Sequence, residues 1–173
     1  MKLRPPCISD MRIIDDFLDS DYHSHLHDIL MGWEFPWFYQ HTLTNGSDKL
    51  EAHGFNHWLT VDGDPDFADL VAKMQEEIQC KECLRVRADM TLYNPNVFRH
   101  DFHVDSKKPH KVCIYYVNDT DGDTIILGDK NDHDIVRVQP KKNRLLTFNG
   151  RHMHTGYSPS EHKNRILINA NFI

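Results

Sequence analysis

Apolar residues follow two rhythms along this chain. Before about residue 84 they recur at helical spacing. Tyr22, Leu26, Ile29 and Leu30 form one stripe, which predicts a helix from about Ser20 to Met31. Phe67, Leu70, Val71, Met74 and Ile78 form another, behind Pro65, and predict a second helix over Asp64 to Gln79. Ile13–Leu18 reads as a short strand or lead-in segment, and Trp33–Tyr39 as an aromatic-rich loop, either anchored by its rings or lying as a lid over a pocket. From residue 84 the apolar runs become short, rich in Val, Ile and Tyr, and are cut by Gly, Asn, Asp and Pro about every 10 residues. Strands are expected near Leu84–Tyr93, Phe102–Asp105, Lys111–Asn118, Thr124–Leu127, Ile135–Val138, Arg144–Phe148, His152–Gly156 and Arg165–Phe172. Eight strands after a helical part imply a mostly β (α+β) jelly roll with flanking N-terminal helices. The whole chain, 1–173, reads as one domain, helical over about 1–83 and β over about 84–173.

Alternation along the last expected strand puts Ile166, Ile168, Ala170 and Phe172 on one face and Arg165, Leu167, Asn169 and Asn171 on the other. The first set is a core face. The second faces either solvent or the mouth of a cavity.

Composition narrows the picture. Hydrophobic content of 39% and charged content of 27% describe a globular protein, and no apolar run of about 18 residues suggests a membrane span. Met1–Pro6 has no apolar core and does not read as a secretory signal, so a cytoplasmic location is expected, that of a host cell if the source is viral. The net charge of −6 argues against a nucleic-acid coat; the cluster Lys107, Lys108, His110 and Lys111 reads as a solvated loop. Cys7, Cys80, Cys83 and Cys113 read as reduced thiols. The CxxC at Cys80–Cys83 lacks a second ligand pair for zinc and follows a helix rather than opening one.

The candidate chemistry sits in the β part. His103 and Asp105 stand two apart on an expected strand and so project to one face. His154 follows 49 residues after Asp105, and Arg165 another 11 residues on. Two imidazoles and a carboxylate cap one face of an octahedral iron(II) ion and leave the other face open. Spacing alone admits His152 as well as His154. A zinc hydrolase is the weaker reading, since the chain has no HExxH helix and no obvious glutamate base. Arg165 supplies a cation with the fork geometry that grips a carboxylate.

Taken in order, several runs carry a resemblance: Leu92-Tyr93-Asn94-Pro95, His103-Val104-Asp105, Cys113–Asn118, Asp121–Thr124, Asn143–Gly150, His154-Thr155-Gly156 and Arg165–Asn169. The stretch Leu92–Phe172 resembles the double-stranded β-helix core of the iron(II)/2-oxoglutarate-dependent dioxygenases. It is most similar to their prolyl-hydroxylase-like branch and to small members found in bacteriophages. The texture before residue 84 is also similar, so the resemblance covers most of the chain. It implies iron(II) held by His103, Asp105 and His154, with His152 a bystander. It further implies 2-oxoglutarate held at its C5 carboxylate by Arg165 and Tyr116, with Tyr93 near the cosubstrate, and O₂ as oxidant. Tyr115 is expected to face away from Tyr116. Many members carry Ser or Thr two residues after the arginine; here that residue is Leu167, which leaves the hydroxyl role to Tyr116.

The expected activity is hydroxylation of a C–H bond, with release of succinate and CO₂. The partners expected are 2-oxoglutarate and an unidentified prime substrate, a prolyl or other protein side chain being favoured over nucleic acid, with no membrane partner. Two other readings stand beside it: a non-catalytic cupin-like metal or small-molecule binder, and an oxygenase acting on nucleic acid, which salt-sensitive binding would reveal.

Overall fold

A computed structural model describes residues 8, 10–44, 47–60, 64–128 and 135–173. Cys7 and the segment 1–6 lie outside the described residues. The elements run β1 (Arg12–Ile14), α1 (Ser20–Met31), β2 (Phe38–Gln40), β3 (Gly54–Leu59), α2 (Pro65–Ile78), β4 (Cys83–Leu92), β5 (Lys111–Tyr116), β6 (Thr124–Leu127), β7 (Ile135–Val138), β8 (Arg144–Asn149), β9 (His154–Gly156) and β10 (Asn164–Phe172). A short 3₁₀ turn at Leu50–Ala52 precedes β3.

Two antiparallel sheets carry the fold. The larger has seven strands in the order β1-β8-β5-β10-β4-β3-β2, and the smaller three, β7-β6-β9. The helices follow their apolar stripes onto the larger sheet. Leu26 and Leu30 of α1 and Phe67, Leu70, Val71 and Met74 of α2 pack against Val86, Ala88, Ile166, Ile168, Ala170 and Phe172. The Asp19 carboxylate accepts from the Tyr22 N–H at 2.9 Å and caps α1; Pro65 opens α2, where its missing N–H costs nothing. A second core, with Val112, Ile114, Tyr116, Ile126, Leu146 and Phe148, gathers residues of both sheets on the other side. β10 therefore separates a dry helix-side core from the space between the sheets. Among the described residues, no helix is long and apolar enough to cross a membrane.

Two sequence expectations need correction. The N-terminal part is not purely helical, because β1, β2 and β3 join the large sheet. β3 lacks an apolar/polar alternation: Asn56 is buried and Trp58 exposed, opposite Asp89 and Arg87 of β4, and both face the polar side of the sheet. Phe102–Asp105 is not a strand; it meets β9 only at a single bridge, His103 to His154. Between bridges the Thr155 hydroxyl donates to the His100 carbonyl at 2.8 Å, so a side chain replaces part of the ladder. Of the two readings of the aromatic loop, anchoring by its rings is the one seen. Phe35 and Trp37 pack against the helix-side core, and no residue of Trp33–Tyr39 lines the cavity described below.

Candidate metal centre

Three side chains converge where the loop before β5 crosses β9. His103, Asp105 and His154 each offer a ligand atom, and these atoms lie within 4.8 Å of one another. Each imidazole Nε2 sits 3.7 Å from an Asp105 oxygen, His103 from Oδ1 and His154 from Oδ2.

The tautomers are set by the backbone. His103 Nδ1 lies 3.1 Å from the Asp101 carbonyl, and His154 Nδ1 lies 3.2 Å from the His152 carbonyl. A carbonyl only accepts, so each Nδ1 carries a proton and each Nε2 is the atom turned toward the site. This is the arrangement a metal-binding histidine needs. The buried His154 Nε2 has no hydrogen-bond partner. Burial drives the His154 pKa down to about 4, against the pull of Asp105, so the ring is neutral near pH 7.

Asp105 is held from behind. Its Oδ2 accepts from the Asn169 and Asn171 amides at 3.2 and 3.0 Å, and Arg85 Nη2 lies 2.6 Å from Oδ1. Burial pushes this carboxyl up, but His154, Arg85 and Asn171 outweigh it and hold it well below the usual carboxylate range. An orphaned imidazole nitrogen beside a firmly ionised carboxylate is a donor set suited to a divalent transition metal.

Beside the triad lies a cavity open to solvent, about 540 Å³ of empty space including its mouth, lined among others by His103, His154, Thr124, Leu167, Asn169 and Arg165. The polar face of β10 thus looks into the cavity rather than into solvent. Arg165 is buried, and among the described residues no carboxylate pairs with it. Its Nη2 donates to the Thr124 hydroxyl at 2.7 Å; its buried Nε has no partner. Tyr116 donates to the same Thr124 oxygen at 2.6 Å, and its ring lies 5.8 Å from the guanidinium carbon. Burial lowers the Arg165 pKa from its ordinary value, while Tyr116, Asp89 and Asp123 push it back up.

Two glycines make room for this guanidinium. A Cβ on Gly156 would sit 3.2 Å from the guanidinium carbon, and one on Gly122 would meet the Tyr157 carbonyl at 2.6 Å and Arg165 Cδ at 2.8 Å.

Of the residues singled out in the sequence, His103, Asp105, His154 and Arg165 are brought together, with Tyr116 against Arg165. Tyr115 turns the other way; its hydroxyl meets His23 Nδ1 at 2.7 Å. Tyr93 is 53% exposed and does not line the cavity. His152 is buried, 3.0 Å from the Leu127 carbonyl and away from the cavity wall. The cysteines Cys80, Cys83 and Cys113 are free thiols.

Several wall residues escaped the sequence reading. Thr124 supplies the hydroxyl that Leu167 lacks. His100 is buried on the wall, and burial lowers its pKa to about 4. Arg87, Asp89 and Thr91 of β4 also line the cavity. The sequence Arg85-Val86-Arg87-Ala88-Asp89-Met90-Thr91 shows the alternation of polar and apolar residues, but only the pairing of β4 between β10 and β3 turns its polar face inward.

Comparison of the sequence with protein-family models and with curated proteins finds no match. Solved structures do match. A prolyl hydroxylase from Trichoplax adhaerens, in complex with a peptide fragment of the hypoxia inducible factor oxygen degradation domain, aligns at TM-score 0.74 and 16% identity over 94% of this chain and 83% of that one. HygX from Streptomyces hygroscopicus, with nickel and 2-oxoglutarate bound, aligns at TM-score 0.67 and 10% identity over 94% and 82%. A Pseudomonas putida prolyl-4-hydroxylase aligns at TM-score 0.65 and 12% identity over 94% and 91%. The chain shares their fold. At such identities the likeness reaches the backbone only, and the chemistry has to be argued from the side chains of this cavity.

Proposed function

We propose that this protein is an iron(II)- and 2-oxoglutarate-dependent dioxygenase built on a double-stranded β-helix. Arg165 carries the proposal. A buried guanidinium without a carboxylate costs several kcal/mol of desolvation, in the order of ~3–5. It shares a cavity with a donor set in which His154 is neutral and Asp105 ionised, which is what a ligand with one metal-binding end and one free carboxylate requires. 2-Oxoglutarate is such a ligand, and a structural neighbour, HygX, is described with nickel and 2-oxoglutarate bound.

In this reading His103, Asp105 and His154 hold the metal. When bound, iron(II) and 2-oxoglutarate supply an oxidant from O₂ that hydroxylates a C–H bond, with release of succinate and CO₂. The protein's part is positioning. Asn169 and Asn171 fix the Asp105 carboxylate, and the carbonyls of Asp101 and His152 fix the two imidazoles. Arg165 takes the C5 carboxylate in a charge-assisted pair. Thr124, whose oxygen already accepts from Arg165 and Tyr116, still has its own proton to donate to that carboxylate. Leu167 and Ile114 give the wall an apolar side that strengthens these contacts. The prime substrate is proposed to be a protein side chain, prolyl among the candidates, since two of the three neighbours above are prolyl hydroxylases.

The test is turnover. Aerobic incubation with iron(II), ascorbate and 2-oxoglutarate should yield succinate and CO₂ in equal amounts, and His154→Ala should abolish both. Metal binding with no succinate above a protein-free control would instead support a non-catalytic metal-binding module.

A further inference from the structure

A second opening, of about 420 Å³, adjoins the triad on the side away from Arg165; Arg85, Arg87, His103 and Asp105 lie on its wall. Arg85 and Arg87 project to one face of β4, and Trp58 of β3 stands directly opposite Arg87. Both guanidinium carbons lie 5.8 Å from the Trp58 ring, which is 56% exposed. Two cations on the wall of this mouth thus lie against an exposed aromatic ring beside it.

Their existing partners do not use them up. Arg87 donates to Asp89 at 3.1 Å, with Nε 2.7 Å from the other oxygen. Among the described residues Arg85 has one ionic partner, Asp105, the carboxylate required by the metal, and its buried Nε makes no hydrogen bond. A buried donor left without a partner is destabilising. Charge bookkeeping points the same way. Among the described residues lining the two openings, the ionic groups are Arg85, Arg87, Arg165, Asp89 and Asp105. A divalent metal and a doubly charged 2-oxoglutarate cancel each other and leave one unbalanced positive charge, on the side of Arg85 and Arg87.

We infer that the prime substrate carries a carboxylate that docks on Arg85 and Arg87 against Trp58, beside the bond to be oxidised. The inference rests on the oxygenase reading above. A single carboxylate balances the one remaining charge, and the arginine fork matches its geometry. The carboxylate belongs either to an acidic side chain of a peptide or to a free small acid.

The experiment titrates the protein, loaded with iron(II) and 2-oxoglutarate under argon at 0.15 M salt, with two probes: a hexaglutamate peptide and N-acetyl-L-glutamate. The readout is tryptophan fluorescence, assigned to Trp58 by its loss in Trp58→Phe. Saturable binding is expected, weakened at least tenfold in Arg87→Gln. The charge-balanced double variant Arg87→Gln/Asp89→Asn guards against an unpaired buried Asp89 and should show the same loss. Tighter binding of hexaglutamate assigns the site to an acidic peptide; equal or tighter binding of N-acetyl-L-glutamate assigns it to a small acid. Absence of saturation with both probes, or equal affinity in a folded double variant, overturns the inference. The visible band of the iron(II)–2-oxoglutarate pair, followed in the same samples, separates the two claims. A band without probe binding sinks the carboxylate site alone. Probe binding without a band sinks the oxygenase reading and with it the substrate role of this mouth.

Discussion

His103 and His154 exchange both of their backbone hydrogen bonds, His103 N–H to the His154 carbonyl at 3.1 Å and the reverse at 2.9 Å. They form one closed antiparallel pair in a segment that is otherwise not a strand. Directly opposed residues of such a pair send their side chains to the same face, and the two ring centroids are 4.7 Å apart. Closing this single pair during folding therefore assembles two of the three candidate ligands, and Asp105 follows two residues on. The ordering entropy of the donor set is met by the fold before any metal arrives.

Arg165→Ala should weaken 2-oxoglutarate binding by about 2–5 kcal/mol, the cost of losing one partner of a buried charge pair. Metal affinity should change little, since Arg165 is not among the converging donor atoms. Arg165→Lys should recover only part of the loss, because a lysine lacks the planar fork. Calorimetric titration of metal and cosubstrate separately checks the split. Equal losses for both ligands would contradict it.

Asn171→Leu should lower metal affinity by roughly 10–100-fold, the usual penalty for removing a group that orients a ligand. Asn171 is buried and its side-chain amide donates to Asp105 and to the side-chain Oδ1 of Asn169, so the leucine fills similar space without the two hydrogen bonds. Competition with a chelator of known affinity measures it, with circular dichroism confirming the fold.

Gly122→Ala should cost about 1–3 kcal/mol of stability, in the range for overpacking. The new methyl meets the Tyr157 carbonyl, which is backbone and cannot swing away, and Arg165 Cδ. 2-Oxoglutarate affinity should fall as well, because the Arg165 stem must move. Thermal unfolding and cosubstrate titration together read both effects.

Stability of the metal-free protein should fall as pH drops from about 6.5 to about 4. Burial holds the His100 pKa at about 4, so below 6.5 the unfolded chain takes up a proton that the folded one refuses. A displacement of this size is worth at most about 3 kcal/mol, and it stops growing below pH 4. His100→Gln should show a flatter profile through this window. Parallel profiles for the two proteins would exclude the effect.

Much of this architecture was legible in the sequence. α1 lies where its stripe put it, and β6 and β7 match their short apolar runs, because each is specified by its own local pattern. The triad and Arg165 were legible through the order of motifs, although spacing alone left His152 beside His154. The structure separates them by backbone: the turn at Asn149–His152 ends before β9, and only His154 pairs with His103. β3 and the charged face of β4 were missed for one reason. Their inward positions, Asn56, Arg85, Arg87 and Asp89, are polar, and a polar face turned inward looks like a solvent face until the partner strands are known. Thr124 was unreadable as the Arg165 partner, since only the crossing of the small sheet over β10 brings it there.

The most direct test of the central claim is an anaerobic titration of the apo-protein with iron(II) and 2-oxoglutarate, watching for the visible metal-to-ligand charge-transfer band. The account predicts a saturable band in the wild type, none in His154→Ala, and one in Arg165→Ala only at far higher 2-oxoglutarate. No band in a folded wild-type protein that binds iron(II) would contradict it.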